Sequence, residues 1–198
     1  MADVPTHLQA DEALWRLFTE GDEAAFGQIF TRHYPKLFQY GRKFSPDTEF
    51  IKDAIQELFA ELWQRRTYLS QTPAVRQYLY KSLRRKMLRL WASRPAGSEL
   101  TDEADAFTAT LSPEQMMLAD ELSVEQRQQM AQWLSSLSPR QREAIYLRFY
   151  HDMDYDEMAS AMDVGNHAVR NLIYEALKLL RSRLISMAIG SLIAIYTP

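Results

Sequence analysis

The sequence predicts an all-α fold: two small helical domains joined by a flexible acidic linker, the second containing a helix–turn–helix. Three observations carry this. Apolar residues recur at helical spacing over long stretches, and only 6 glycines occur in 198 residues. From Pro95 to Glu125 acidic residues accumulate without a Lys or Arg, and the first part, PAGSELTDEADAFTATLSP, has no helical period. Towards the C-terminus a short amphipathic stretch, a tight break and a longer amphipathic stretch follow one another. The expected boundaries are residues 1–93 for the first domain, 94–112 for the linker and 113–198 for the second domain with an apolar tail.

In the first domain, Ala10 to Glu20 reads as a helix with Leu14, Leu17 and Phe18 on one face. Gly21-Asp22 ends it, and Asp22 caps a second helix carrying Phe26, Ile29, Phe30 and Tyr34. Pro35 bends that helix without ending it, because Leu37, Phe38, Tyr40 and Phe44 keep the period. Ser45-Pro46-Asp47 is a break. A third helix runs from about Thr48 to Arg66, with Ile51, Ile55, Leu58, Phe59 and Leu62 inward and Asp53, Gln56, Glu57, Glu61 and Gln64 outward. After a loop over Tyr68 to Ala74, a fourth helix spans about Val75 to Trp91.

In the second domain, Ser112-Pro113-Glu114-Gln115 opens a helix to about Ser135, and Ser138-Pro139-Arg140-Gln141 repeats the same start. Asp154 and Glu157 form a capping box for a short helix ending near Met162. Gly165 supplies the left-handed residue of the turn, and Asn166 caps the long helix, whose buried stripe is Val169, Ile173, Ala176, Leu177, Leu180 and Leu184.

Composition excludes several classes. There is no Cys, so disulfides and thiolate metal sites are absent, and His7, His33, His151 and His167 show no ligand spacing; no metal, cofactor or catalytic residue is expected. No paired catalytic groups or Gly-rich phosphate loop appears, so the chain does not read as an enzyme. The start, MADVPTHLQADE, lacks the basic and apolar regions of a signal peptide, and the C-terminal ISMAIGSLIAIYTP is too short to span a bilayer. A cytoplasmic protein without membrane insertion is expected.

Two stretches carry nucleic-acid chemistry. The net charge of -3 is unusual for a DNA-binding protein, but the charge of the acidic linker accounts for most of the negative balance. The fourth helix has Lys81, Arg84, Arg85, Lys86 and Arg89 with no acid among them, interleaved with Tyr78, Tyr80 and Trp91. Cations neutralise phosphates and aromatic rings stack on unpaired bases, a combination suited to an opened strand. The long helix of the helix–turn–helix presents Asn166, His167, Arg170, Asn171 and Tyr174 early, then Lys178, where a recognition helix meets base edges. The plainer alternative for both is a solvated polar face over a helical core.

A family resemblance joins these features. Asp53, Gln56, Glu57, Phe59 and Trp63 in IKDAIQELFAELWQRR match the pattern D-x-x-Q-[DE]-x-F-x-x-x-W. YLYKSLRRKMLRLW follows it, and LSPRQREAIYLRFYHDMDYDEMASAMDV…VRNLIYEALKLLR comes later. In this order they resemble regions two and four of the extracytoplasmic-function (ECF) sigma factors, minimal promoter-recognition subunits of bacterial RNA polymerase. The chain departs from the family at Arg85, where Asn is usual, and at Arg89, where Asp is frequent.

The resemblance implies partners and roles. Asp53, Gln56, Glu57, Phe59 and Trp63 would bind core RNA polymerase. Tyr78, Tyr80, Lys81, Arg84, Arg85 and Arg89, with the Tyr68–Arg76 loop, would hold the melted minus-ten strand of promoter DNA and capture an extruded base. Asn166, His167, Arg170, Asn171, Tyr174 and Lys178 would read the minus-thirty-five element. An anti-sigma factor is implied as a further partner, and the free chain would be a monomer. Two alternatives stay open on the residues: a helix–turn–helix regulator of duplex DNA that is not a polymerase subunit, and a helical adaptor binding protein alone.

Overall fold

The computed structural model describes the backbone of residues 6–92, 107 and 124–196, and the side chains of 11–92, 107 and 128–184. Among these residues all regular structure is helical, as the periodicity predicts. Helices α1 (Thr6–Thr19), α2 (Glu23–Gly41), α3 (Thr48–Gln64) and α4 (Val75–Ala92) form an N-terminal bundle, with a single tight helical turn at Arg66–Tyr68. Helices α5 (Val124–Ser135), α6 (Pro139–Tyr150), α7 (Tyr155–Met162) and α8 (Asn166–Tyr196) form the C-terminal one. The flexible linker expected at 94–112 lies outside the described residues apart from Phe107, as do the start of the helix expected from Ser112 and the side chains of the apolar tail.

The N-terminal bundle follows its capping signals. Asp22 accepts from the Ala25 N–H at 2.9 Å and Asp47 from the Phe50 N–H at 3.1 Å, each satisfying a free donor of a first turn. Pro35 sits inside α2 without breaking it. Thr31 and Pro35 are both exposed, so the carbonyl left without its proline N–H faces water. At the end of α2, Gly41 is buried against α3: a Cβ there would stand 2.6 Å from Cγ2 of Ile51. Glycine is used here for close approach. Trp15, Phe18, Ile29, Leu37, Ile51, Ile55, Leu79 and Leu83 fill the core, each contributing about 1.5–3 kcal/mol by leaving water. Asp11 pins α1 to α2, 2.5 Å from Arg32 and 2.9 Å from His33 Nε2.

In the C-terminal bundle both capping boxes form, Ser138 with Gln141 and Asp154 with Glu157. Two details of the helix–turn–helix differ from expectation. The left-handed residue is Asp163 (φ 57°), not Gly165. Asp tolerates this conformation, and its carboxylate is thereby carried off the end of α7 towards α4. Asn166 is the first residue of α8, and its side chain donates to Asp156, tying the two helices of the motif together. Val169, Ile173 and Ala176 pack inward as the stripe predicts, whereas Leu177 and Leu184 are exposed.

The bundles pack against each other along α4 and α7. Tyr40 of α2, Tyr80 of α4, Tyr146 of α6 and His151 converge there, all buried, and Phe107 joins them with its ring 5.1 Å from Phe44 and 6.0 Å from Tyr146.

Candidate nucleic-acid interface

Helix α4 divides its surface by spacing. Val75, Leu79, Leu83 and Met87 recur every four residues and are fully buried. The polar side chains are left on the remaining arc, where three environments receive them. Lys86 turns to α3, its Nζ 2.7 Å from Glu61 and 3.2 Å from Glu57. Arg76, Gln77, Tyr80, Lys81, Arg84 and Arg85 meet the C-terminal bundle. Arg89 is exposed.

Beside this arc lies a cavity of about 660 Å³ between the end of α3, the 69–74 loop and α4. Its floor is apolar, from Leu58, Leu62, Leu69 and Tyr78; its rim is mainly cationic, from Arg65, Lys81, Arg85 and Arg89, with the paired Glu61 and Lys86 also in the lining and Ser160 of α7 at one edge. Of the residues assigned to the minus-ten strand, Tyr78, Lys81, Arg85 and Arg89 thus line one cavity. Tyr80 and Arg84 do not. Tyr80 is fully buried with its hydroxyl 2.8 Å from His151 Nδ1, and Arg84 is buried with Nε 2.9 Å from Glu143. Stacking of Tyr80 on a base is incompatible with this arrangement of the bundles. Arg65 was not singled out by the sequence, because it follows the last apolar turn of α3 and reads as an ordinary C-terminal cation.

The ionic contacts across the bundles run along successive turns of α4. Glu157 accepts from Arg76 and, at 2.8 Å, from Gln77. Glu143 accepts from Arg84 and, at 2.6 Å, from the Tyr40 hydroxyl. Asp163 takes Lys81 Nζ at 2.8 Å and Arg85 Nε at 3.0 Å. These two cations, Lys81 first, hold the Asp163 carboxyl at a pKa of about 2. Burial, reinforced by the charges of Lys36, Arg76 and Lys43, lowers His151 to about 4. Burial and nearby Arg42 lower Lys43 to about 8. The Tyr40 hydroxyl is pushed well up by burial and by Glu143. Glu143, Glu157 and Asp163 are not among the site residues expected from the sequence, where Glu157 stands as half of a capping box and within the stretch resembling region four.

The face assigned to polymerase is mixed. Asp53, Gln56 and Glu57 are exposed on α3. Phe59 is a core residue, and Trp63 is half-buried beneath Arg66, whose guanidinium lies 4.4 Å from the ring. These two aromatics position the helix. On α8, His167, Arg170, Asn171, Tyr174 and Lys178 are exposed, while Asn166 is held by Asp156. Arg170 rests over the Tyr155 ring at 4.7 Å. Among the described residues no group of His, Asp or Glu is arranged to hold a metal, and no helix is long and apolar enough to cross a membrane.

Comparison with known proteins bears on both bundles. The family description "Sigma-70 region 2" matches residues 29–95, and "Sigma-70, region 4" matches residues 119–180. The chain belongs to the ECF-type sigma factors of the sigma-70 family. This sigma factor is 29% identical over 174 residues to the RNA polymerase sigma factor NccH of Alcaligenes xylosoxydans xylosoxydans, covering 86% of this chain and 92% of the relative. It is 26% identical over 176 residues to the ECF RNA polymerase sigma-E factor of Escherichia coli K12, covering 84% and 90%. A solved structure of CnrH in complex with the cytosolic domain of CnrY shares the fold, with a TM-score of 0.60 at 24% identity over 89% of this chain and 98% of that one.

Proposed function

We propose how this ECF sigma factor divides the work of promoter recognition among its helices. The observation that carries the reading is the cavity beside α4, an apolar floor under a cationic rim. A flipped base needs apolar or aromatic walls, and the phosphates on either side of it need cations. At about 660 Å³ the cavity lies within the size range of small-ligand sites. The extruded base of the minus-ten strand enters between the 69–74 loop and α4. Lys81, Arg85 and Arg89 hold the flanking phosphates, and Arg65 closes the far side.

The remaining roles follow from exposure. Asp53, Gln56 and Glu57 form the acidic and amide face of α3 that docks on core RNA polymerase, set by Phe59 and Trp63 beneath. The exposed first turns of α8 enter the major groove of the minus-thirty-five element, with Arg170 and Asn171 at base edges and Lys178 at the backbone. Melting is driven by the binding free energy of the captured strand, and no covalent step or cofactor is involved: the chain is not an enzyme. It acts in the cytoplasm as a monomer until it joins the polymerase, and an anti-sigma factor is its second protein partner.

The test is binding and run-off transcription on a randomised promoter library, with and without core polymerase. Specific enrichment and transcripts should appear only with core. Tight, specific duplex binding by the chain alone, with no change on adding core, would identify a duplex regulator.

A further inference from the structure

Among the described residues, Glu61 is the one acid in the lining of the cavity beside α4; the other charged groups there are Lys and Arg. Glu61 lies on α3 between Leu58 and Arg65, and Lys86 on α4 between Ser82 and Arg89, each at helical spacing, so both stand midway along the groove that forms the cavity. In a groove that holds phosphates, a carboxylate repels what the cations attract.

Neutralising Lys86 does not account for this acid. Lys86 is 3% exposed, and its Nζ lies 2.7 Å from Glu61 Oε1 and 3.2 Å from Glu57 Oε2. Two carboxylates share one ammonium, and Glu57 alone would balance its charge. The Glu61 side chain stays 52% exposed, and among the described residues its second oxygen, Oε2, takes no hydrogen bond. On Lys86, two of the three N–H donors of an ammonium are used and one is left. An open acceptor and an open donor thus stand side by side in the cavity lining.

We propose that Glu61 and Lys86 read the base that the cavity captures and select an amino base, adenine or cytosine: Glu61 accepts from the exocyclic amine, and Lys86 donates to the ring nitrogen beside it. This inference rests on the assignment of the cavity to an extruded base.

The selection follows from the order of donors and acceptors. An extruded base is read along the edge that would otherwise pair. Adenine presents its N6 amine beside N1, and cytosine its N4 amine beside N3: a donor next to an acceptor. Glu61 and Lys86 offer the complement, an acceptor next to a donor, held in place by their own 2.7 Å contact. Guanine and thymine present the reverse order, a carbonyl oxygen in place of the amine and a ring N–H in place of the bare nitrogen. Either would set carbonyl against carboxylate and N–H against ammonium, leaving both protein groups unpaired. A site built to hydrogen-bond one group rejects the analogue that lacks it more strongly than an apolar pocket does. The pair does not sort adenine from cytosine, because both present the same two groups.

The surroundings suit this division. Leu62 and Tyr78 of the floor supply the flat apolar contact that a base ring requires. Glu57, one turn before Glu61, holds Lys86 from its other side and keeps the ammonium off the flanking phosphates. Lys81, Arg85 and Arg89 are left for those.

The experiment uses the full chain with core RNA polymerase. A promoter recovered from the randomised library is scanned with 2-aminopurine through the melted region. The captured position is the one whose fluorescence rises on opening and whose signal is lost when Ala74→Trp fills the cavity. That position is then synthesised, in a pre-melted template, with adenine, cytosine, guanine, thymine and purine, the last being adenine without its amine, and affinities are compared by competition. The parent should prefer adenine and cytosine to guanine and thymine by about tenfold, and adenine to purine in the same sense. In Glu61→Gln the amide oxygen still accepts from Lys86, while its N–H group can donate to a carbonyl. This variant should narrow the gap by gaining guanine and thymine, an effect that a merely structural role for Glu61 would not produce; thermal unfolding checks that the fold is kept. No preference between amino and keto bases in the parent, or a preference that Glu61→Gln leaves unaltered, would overturn the pair as the reader while leaving the cavity as the site of capture. If no 2-aminopurine signal responds to Ala74→Trp, the cavity is not the site of capture, and this inference falls with that assignment.

Discussion

Arg84 of α4 and Glu143 of α6 meet across the two bundles at 2.9 Å, 59 residues apart in sequence and both buried. Glu143 is also the acceptor of the Tyr40 hydroxyl at 2.6 Å. Removing Arg84 therefore strands a carboxylate that a single phenol cannot compensate. Breaking one side of a buried pair ordinarily costs about 3–5 kcal/mol. Here the loss is capped, because a parted interface lets Glu143 reach water. Arg84→Met should open the chain, and Arg84→Met/Glu143→Leu should restore closure at least in part. Energy transfer across the seam for the two single variants and the double variant measures this as a cycle; additive effects would show that the pair is not coupled.

Acid should open the same seam. His151 lies against Tyr80 and Arg76 of α4, Tyr40 of α2 and Tyr146 of α6, and it feels the charges of Lys36 in α2 and of Lys43 just beyond its end. Its Nε2 is buried without a hydrogen-bond partner among the described residues. Closing lowers His151 to about 4 from an ordinary 6.5, so closure favours the neutral ring. The contribution is complete above pH 6.5 and is lost as pH falls towards 4. Lys43, lowered to about 8 from 10.5, acts in the same sense at the alkaline end: closure tightens as pH rises through that window. Asp163 titrates from 3.8 towards 2, below the range of His151. A titration of energy transfer between pH 7 and 4 should show opening that disappears in His151→Gln. An unaltered titration in that variant would move the sensor elsewhere.

Close packing at Gly41 gives a prediction about the N-terminal bundle alone. A methyl group there would stand 2.6 Å from Ile51 Cγ2 and 3.6 Å from Met87 Sδ, and Ile51 has no room to yield because it is fully buried. Gly41→Ala gains about 1 kcal/mol of helix propensity and loses roughly 1–3 kcal/mol to overpacking. Net destabilisation is expected, seen as a lowered denaturation midpoint. A raised midpoint would show that α2 and α3 can separate at this crossing.

The pattern of what the sequence reveals follows from the range of the forces involved. Helices are legible because caps and periodicity act over a few residues: Asp22, Ser138 and Asp154 cap as read, and Asp47, read as part of a break, caps α3. The cavity was half legible. Its α4 rim is a run of cations, but its α3 and loop walls, Leu58, Arg65 and Leu69, are brought in by packing. The partners of α4 were not legible. Arg76 and Glu157 are 81 residues apart, and nothing local to either names the other. The turn shows the same limit on a smaller scale. Gly165 is the residue most able to take positive φ, yet Asp163 takes it, where its carboxylate can meet Lys81 and Arg85 as well as end α7.

On α8, Arg170 is exposed but held over the Tyr155 ring at 4.7 Å. A guanidinium held on an aromatic face is already ordered before it meets DNA. Arg170→Ala should cost roughly 1–3 kcal/mol of promoter affinity and relax sequence choice at one upstream position. Tyr155→Leu should cost less and leave sequence choice intact, because it disorders the arginine without removing it. Selection from a library randomised upstream, with core polymerase, checks both; an equal loss on every sequence for Arg170→Ala would make it a phosphate contact.

Tyr80 separates strand capture from closure. Its ring is fully buried in this arrangement and its hydroxyl meets His151 at 2.8 Å. Tyr80→Phe keeps a ring that can stack but deletes the hydrogen bond, leaving His151 Nδ1 buried without that partner. If closure limits access to α4, this variant should bind single-stranded DNA more tightly than the parent while melting a promoter with core polymerase as well as the parent does. Tyr80→Ala should also open the seam. If the ring stacks on a base once the bundles part, it should in addition lose about 1–3 kcal/mol of strand binding and melt the promoter poorly by permanganate footprint. Equal melting by Tyr80→Ala and Tyr80→Phe, at equal thermal stability, would make Tyr80 a hinge residue of the seam and remove it from the strand-binding set.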